Sequence, residues 1–339
     1  MPPVHLGVIG AGWFASRRHC PDILDHPEAT LNALCRRDAE QLRQMATEFS
    51  VEHTYTDYRD LIHSSTVDGV VICSPHHLHY EHTREALENG LHVLLEKPIT
   101  IDAAEGGELV ELAAAKDRTL IVAQNPPYWS HCRYLREQIH KGRLGDIEAV
   151  HIHWIGNAKG VLGLEELPAN MPGVVPPTLF RHDPAQNGGG FLVDGGSHLL
   201  CELLWCTGLD VVEVTAQMDD AEWDVRAALT LALSNGALAT LNNTADSGVR
   251  DKRQHSLYYG AAGTATVRGF PGRIAIEAGG ESENVHERDL PAPPTPVGNL
   301  VDCALRRSTP EIAGETAVHV VEILQAAYKS ARTGHRVRL

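Results

Sequence analysis

The segment Val4-His-Leu-Gly-Val-Ile-Gly10-Ala-Gly12-Trp-Phe-Ala15 constrains the fold more than any other stretch of the chain. A short apolar strand runs into Gly-x-Gly-x-x-Ala and then into a helix-like segment. The first glycine allows a tight turn, the second lets a pyrophosphate approach the backbone, and Ala15 permits close helix–strand packing. Exposed amides at the helix start hold the phosphates. Glycine-rich turns are common, so the weight comes from context. A strand precedes the motif, a helix follows, and a second strand (Ala29–Cys35) comes about twenty residues on. Gly10, Gly12, Trp13 and Phe14 are therefore expected on a dinucleotide. Where NAD-preferring chains place an acid after the second strand, this one has Arg36-Arg37, with Asp38 only afterwards. Arginine there favours a 2′-phosphate, so NADP is expected over NAD. An arginine stacked on adenine or turned to solvent leaves NAD usable.

The alternation continues through helix 38–49, strand His53–Tyr55, helix 58–63, strand 67–73, helix 77–89, strand His92–Leu95, helix 102–116 and strand 119–124. Strands alternating with helices imply right-handed crossovers and a doubly wound parallel sheet, an α/β Rossmann domain. Ser74-Pro75, after the fourth strand, should line the nicotinamide side of its crevice. The run Gly90-Leu-His-Val-Leu-Leu-Glu-Lys-Pro98 reads as a buried strand ending in Glu96-Lys97-Pro98. Open α/β sheets place their ligands outside the carboxyl ends of such strands. Pro98 cannot continue a ladder and holds Lys97 in one orientation, fit to give a proton or hydrogen bond to a substrate oxygen. A lysine solvated in a loop is the ordinary alternative.

Beyond Gln124 the periodicity changes. Helix 134–141 is followed by strand-like segments at 147–155, 211–217, 225–233, 237–244, 254–259, 265–268 and 273–276. Such a run implies an α+β domain with a large, mainly antiparallel open sheet. The expected division is 1–124 and 125–339, with a terminal helix (315–331) able to pack back on the first domain and 337–339 adding an edge strand. The Pro- and Gly-rich region 156–187 reads as a substrate-side or oligomer-contacting loop. Within Gly188-Gly-Gly-Phe-Leu-Val-Asp194-Gly-Gly-Ser-His198, a helix opens with Asp194 and His198 four residues apart on one face. A carboxylate beside an imidazole fixes its tautomer and supports its charged form. A capping aspartate and an incidental core histidine are the plainer reading.

Bulk properties narrow the function classes. Of 339 residues, 43% are hydrophobic and 22% charged, and no stretch has the length of a membrane span. The formal charge of −15 argues against a nucleic-acid surface or a polybasic membrane contact. Seven dispersed cysteines without a CxxC pair, and no secretion-type amino terminus, point to reduced thiols and a cytoplasmic location. His76, His77, His79 and His82 crowd together, but their spacing matches no zinc signature, and no metal is expected.

Together these residues resemble the Gfo/Idh/MocA oxidoreductases, the glucose–fructose oxidoreductase and inositol dehydrogenase family. The resemblance covers nearly the whole chain. It rests on Gly10-Ala-Gly12, Ser74-Pro75-x-x-x-His79, Glu96-Lys97-Pro98, Asp194-x-x-x-His198, Tyr259-Gly-Ala-Ala-Gly-Thr264 and Ala327-Tyr-Lys-Ser-Ala331. It implies a Rossmann domain binding NAD(P) through residues that include Ser74, Pro75, His79, Glu96 and Lys97. It also implies an open-sheet domain for substrate binding and oligomer contact. The family lysine matches Lys97, and the family Asp/His pair matches Asp194 and His198. Gln124-Asn-Pro-Pro-Tyr128 departs from the family's arginine-containing stretch. The implied reaction moves a hydride between nicotinamide and a secondary carbinol of a sugar, glycoside or cyclitol. His198 takes the proton, Asp194 orients it and Lys97 binds the reacting oxygen. Two rivals are a hydrolase or lyase that recycles its cofactor and a non-catalytic sugar or nicotinamide sensor. An exposed sheet face usually finds a partner, so a homodimer or homotetramer is expected.

Overall fold

The computed structural model describes residues 2–167, 171–249 and 252–339. The chain folds into two compact units. The first comprises Met1–Ala123, Gly163–Asn187 and Pro294–Val318, and the second Gln124–Leu162, Gly188–Pro293 and His319–Leu339. The first break falls one residue before the expected cut, but two later segments return to the first unit. They return because Val175, Val297, Leu300 and Val301 are buried in the first unit's core with Val8, Leu34 and Leu94.

The first unit is built on β1 (Val4–Ile9), β2 (Ala29–Cys35), β3 (His53–Tyr55), β4 (Gly69–Ile72), β5 (His92–Leu95) and β6 (Leu120–Val122). All pair in parallel, in the order β3-β2-β1-β4-β5-β6. This is the Rossmann order, whose direction reverses between β1 and β4 and so opens a crevice at their carboxyl ends. The continuous apolar runs of β4 and β5 follow from burial on both faces. Asp38, Asp57 and Asp102 cap the helices Ala39–Phe49, Tyr58–Ile62 and Ala103–Ala115 through their side chains. The helix after Gly12 is shorter than the motif implies. Trp13–Arg17 is followed by a break at Arg18 and a second piece, His19–Leu24. Pro21 has no N–H to offer the Arg17 carbonyl, so the first helix cannot run on. Helix Pro296–Ala304, unanticipated, begins on a Thr295 cap with proline at its first position and buries Val297, Leu300 and Val301.

The second unit carries β7 (Ile147–Ile155), β8 (Val211–Met218), β9 (Arg226–Leu233), β10 (Leu238–Thr244), β11 (Arg253–Gly260), β12 (Gly263–Arg268), β13 (Arg273–Ala278), β14 (Glu281–His286) and β15 (Val337–Arg338). Their order is β14-β13-β12-β11-β7-β10-β9-β8-β15, antiparallel throughout except for the parallel pair β7 and β10. Burial alternates along β9 and β10, as in a sheet covered on one face. β14 (Glu-Ser-Glu-Asn-Val-His) has no apolar alternation and escaped sequence reading.

Candidate active site

In the first unit a cavity of about 890 Å³ opens at the carboxyl ends of β1, β4 and β5. Gly10, Gly12, Trp13, Phe14, Arg36, Arg37, Ser74, Pro75, Glu96 and Lys97 all line it. Gly10 sits at φ +78, and a Cβ there would meet the Ser74 amide nitrogen at 2.6 Å. Only glycine fits that crossing. The amides of Gly10 and Ala11 both donate to the Cys35 carbonyl at 3.0 Å, so they fasten the turn to β2 instead of facing a ligand.

Part of region 156–187, expected as a substrate-side or oligomer-contacting loop, lines this cavity. The Trp13 indole donates to the Pro172 carbonyl at 2.7 Å, and Ser16 Oγ accepts from the Val174 amide at 3.1 Å. Thr178, Phe180 and Arg181 reach the cavity wall. The two arginines part company. Arg36 folds inward, donating to the Ala11 carbonyl at 3.3 Å and to Gln41 Oε1, and burial pushes its pKa below the ordinary range. Arg37 stays exposed on the cavity wall. The Asp38 carboxylate is engaged by the Gln41 amide at 2.9 Å and the Gln41 side chain at 3.0 Å.

His79 does not line the cavity. It is fully buried, with ring nitrogens 2.7 Å from the Pro98 carbonyl and 2.9 Å from that of Ser74. It braces the segment after β4 against the segment after β5, and burial holds its pKa below the ordinary value. Ser74 Oγ lies 3.0 Å from His82 Nδ1, an imidazole pushed down to about 4 by burial and by the charge of His79. Glu96 meets His19 Nε2 at 2.7 Å, and Lys97, 8% exposed, also stands on the wall.

In the second unit the helix expected around Asp194 is irregular. Leu192–Gly196 forms a π turn and the α-helix proper runs Ser197–Thr207. Bonds from i to i+5 widen the turn, so the α-helical spacing rule that put Asp194 and His198 on one face does not carry over. Such π segments recur at functional sites. The turn is held from below. The Leu192 amide donates to Asp224 Oδ2 at 2.9 Å, the Phe191 amide to the Asp224 carbonyl at 2.7 Å, and the Gly190 amide to the Tyr328 hydroxyl at 2.8 Å. Tyr328 in turn donates a close bond to Asp224 Oδ1. Tyr328 belongs to the terminal motif noted in the sequence, whose place is thus explained. Burial pushes the Asp224 carboxyl up to about 6.

His198 Nε2 lies 3.2 Å from Asn125 Nδ2, and its ring centroid is 6.3 Å from that of Trp129. One helical turn beyond, Glu202 is fully buried, accepting from Gln254 Nε2 at 3.0 Å and Tyr258 at 3.1 Å. Asn125, Trp129, Glu202 and Lys252 went unnoticed in the sequence. Asn125 and Trp129 lie in or beside the stretch flagged only as a departure, and nothing local marks the other two.

Residues 4–124 match the family described as "Oxidoreductase family, NAD-binding Rossmann fold", and residues 132–266 match the GFO/IDH/MocA C-terminal domain. The chain belongs to the Gfo/Idh/MocA family. As a Gfo/Idh/MocA protein it is an NAD(P)-dependent oxidoreductase. It is 24% identical over 360 aligned positions to the D-glucoside 3-dehydrogenase of Escherichia coli K12, covering 99% of this chain and 98% of that one. Two solved structures share its fold. The oxidoreductase domain protein from Kribbella flavida matches with TM-score 0.87 at 21% identity, over 100% of this chain and 99% of that chain. The WlbA dehydrogenase from Bordetella pertussis, solved with NADH and UDP-GlcNAcA, matches at 0.82 and 22%, over 99% of each chain. Among the described residues, no helix is long and apolar enough to cross a membrane.

Proposed function

We propose that the protein moves a hydride between a nicotinamide dinucleotide and a secondary carbinol or ketone of a sugar, glycoside or cyclitol, with Lys97, Asp194 and His198 managing the proton. The observation that carries this is the buried Lys97 ammonium at the carboxyl end of β5, on the wall of the cavity that Gly10 shapes. The D-glucoside 3-dehydrogenase relative supports the substrate class.

The bound nicotinamide supplies the hydride acceptor or donor. In the oxidation direction His198 takes the hydroxyl proton, and Asn125 sets the orientation of its ring. Asp194 is assigned the support of the imidazolium charge on the family pattern Asp194-x-x-x-His198. Lys97 donates a hydrogen bond to the reacting oxygen, stabilising alkoxide character as the C–H bond breaks. The remaining cavity residues bind and orient. The test is a spectrophotometric screen of hexoses, glycosides and inositols with both dinucleotides. Reduced nicotinamide should accumulate with at least one carbinol; none across the whole panel contradicts the reading.

For the cofactor, NADP is the preferred partner and NAD the alternative. The exposed Arg37 supports this, as does the Asp38 carboxylate held by Gln41 and turned from the role of a ribose acceptor. Arg37→Asp should lower the NADP-to-NAD ratio of kcat/KM by roughly tenfold or more, the worth of one charge-assisted phosphate bond. An unchanged ratio refutes the preference. All seven cysteines are free, which supports a reducing, cytoplasmic setting. Leu238 and Tyr259, exposed on the sheet unit, support self-association, which light scattering measures.

A further inference from the structure

Lys252, immediately before β11, belongs to none of the motifs above. Its ammonium lies 4.4 Å from the centroid of Phe270, 5.0 Å from Trp129 and 5.8 Å from Trp154. The same Trp129 neighbours the His198 imidazole, so the two groups share one indole wall. Ring faces hold a cation in place but give its N–H groups no oxygen acceptor. The acids whose fields reach it are engaged elsewhere. Glu202 accepts from Gln254 and Tyr258; Glu287 accepts from His131 at 2.8 Å and from the Gly272 amide at 2.6 Å. Among the described residues no carboxylate comes within ion-pair distance of Lys252. A charge desolvated without a counter-ion is costly, and burial accordingly pushes this lysine down to about 8. The same surroundings decide what completes it. One ammonium balances one negative charge, and the nearby Glu202 and Glu287 would repel the second charge of a phosphate.

We propose that Lys252 is a specificity-determining residue that takes the carboxylate of an acidic sugar, such as a uronate, at the wall shared with His198. The binding half of this inference stands alone; the part in which that sugar is oxidised rests on the dehydrogenase reading above.

The test is calorimetric titration of wild-type protein, Lys252→Met and Lys252→Arg with D-glucuronate and D-galacturonate, against D-glucose, D-galactose and D-glucose 6-phosphate. Turnover is followed in parallel. Wild type should bind a uronate roughly 10- to 100-fold tighter than its neutral parent, the worth of a hydrogen bond to a charged group. Methionine fills the same aromatic slot without charge and should erase that advantage while sparing the neutral sugars; arginine should keep it. The advantage should shrink in wild type as pH rises through about 8, because the ammonium is charged only below that value. It should not shrink in Lys252→Arg. The other titratable groups facing this lysine, Glu202, Glu287, Cys132, His131 and His198, are common to all three proteins. Equal affinity for uronate and parent, tighter binding of the phosphate, or an acid preference that survives Lys252→Met each overturn the proposal. Uronate binding without any reduction of nicotinamide leaves Lys252 in place and defeats the dehydrogenase reading. Neutral turnover without uronate binding does the reverse.

Discussion

Alanine at position 198 is expected to lower kcat about a hundred- to ten-thousand-fold, the range that a positioned acid–base group contributes. Hydride leaves a carbinol carbon readily only if the hydroxyl proton is taken as the C–H bond breaks. His198 is the imidazole at the mouth of the π turn, with Asn125 3.2 Å from one ring nitrogen. Removing it deletes the acceptor without touching the glycine turn or the arginines, so dinucleotide affinity from fluorescence titration should be unchanged. Lys97→Ala should show a loss of similar size in kcat, with dinucleotide affinity changed only a few-fold, because Lys97 stands on the cavity wall at the end of β5 and not in the Gly10–Phe14 turn expected to hold the phosphates. Lys97→Arg keeps the charge but moves the donor, and should restore little. If His198→Ala and Lys97→Ala both turn over near wild type, the proton assignment is wrong.

The largest stability effect should come from Gly190→Ala. A Cβ there would fall 2.0 Å from the Asp224 carbonyl oxygen and 2.2 Å from its amide nitrogen, both backbone atoms that cannot swing aside. Overpacking against backbone should cost about 3 kcal/mol or more, lowering the thermal midpoint by roughly 4 °C or more. Because the displaced Asp224 loop segment, just before β9, anchors the π turn, kcat of the folded fraction should fall too. An alanine variant as stable as wild type would show that the turn is not clamped here.

Asp224 gives a pH signature of the same clamp. Its folded-state pKa of about 6 lies above its ordinary 3.8. The stability linked to this group is therefore fully present below about pH 4 and lost as pH rises through 6, about 3 kcal/mol in all. Chemical denaturation of wild type and Asp224→Asn across that interval should show the difference between them changing by this order. A constant difference contradicts the assignment.

The first unit was legible because its signals are local. Val70–Ile72 and Val93–Leu95 are uninterrupted apolar runs of the kind a two-sided sheet requires, and Gly10 marks a crossing where a side chain cannot pass. The second sheet was legible strand by strand until β14, whose edge position frees it from apolar alternation. Two site features were not legible. The π turn depends on Asp224 and Tyr328, distant in sequence, reaching under Gly190–Leu192. Arg36 and Arg37 look alike in sequence, and only the position of Gln41 and the Ala11 carbonyl turns one inward. His79, expected on the cofactor, instead braces two carbonyls behind it, a role set by burial that its motif does not encode. Lys252 was invisible because three aromatic rings from three separate segments define its surroundings.

The most direct test of hydride transfer is stoichiometry with a substrate carrying deuterium on the reacting carbon. Direct hydride transfer yields one reduced nicotinamide, labelled with that deuterium, for every keto product released. Product formed without net reduced nicotinamide, or label returned to the sugar, would contradict it.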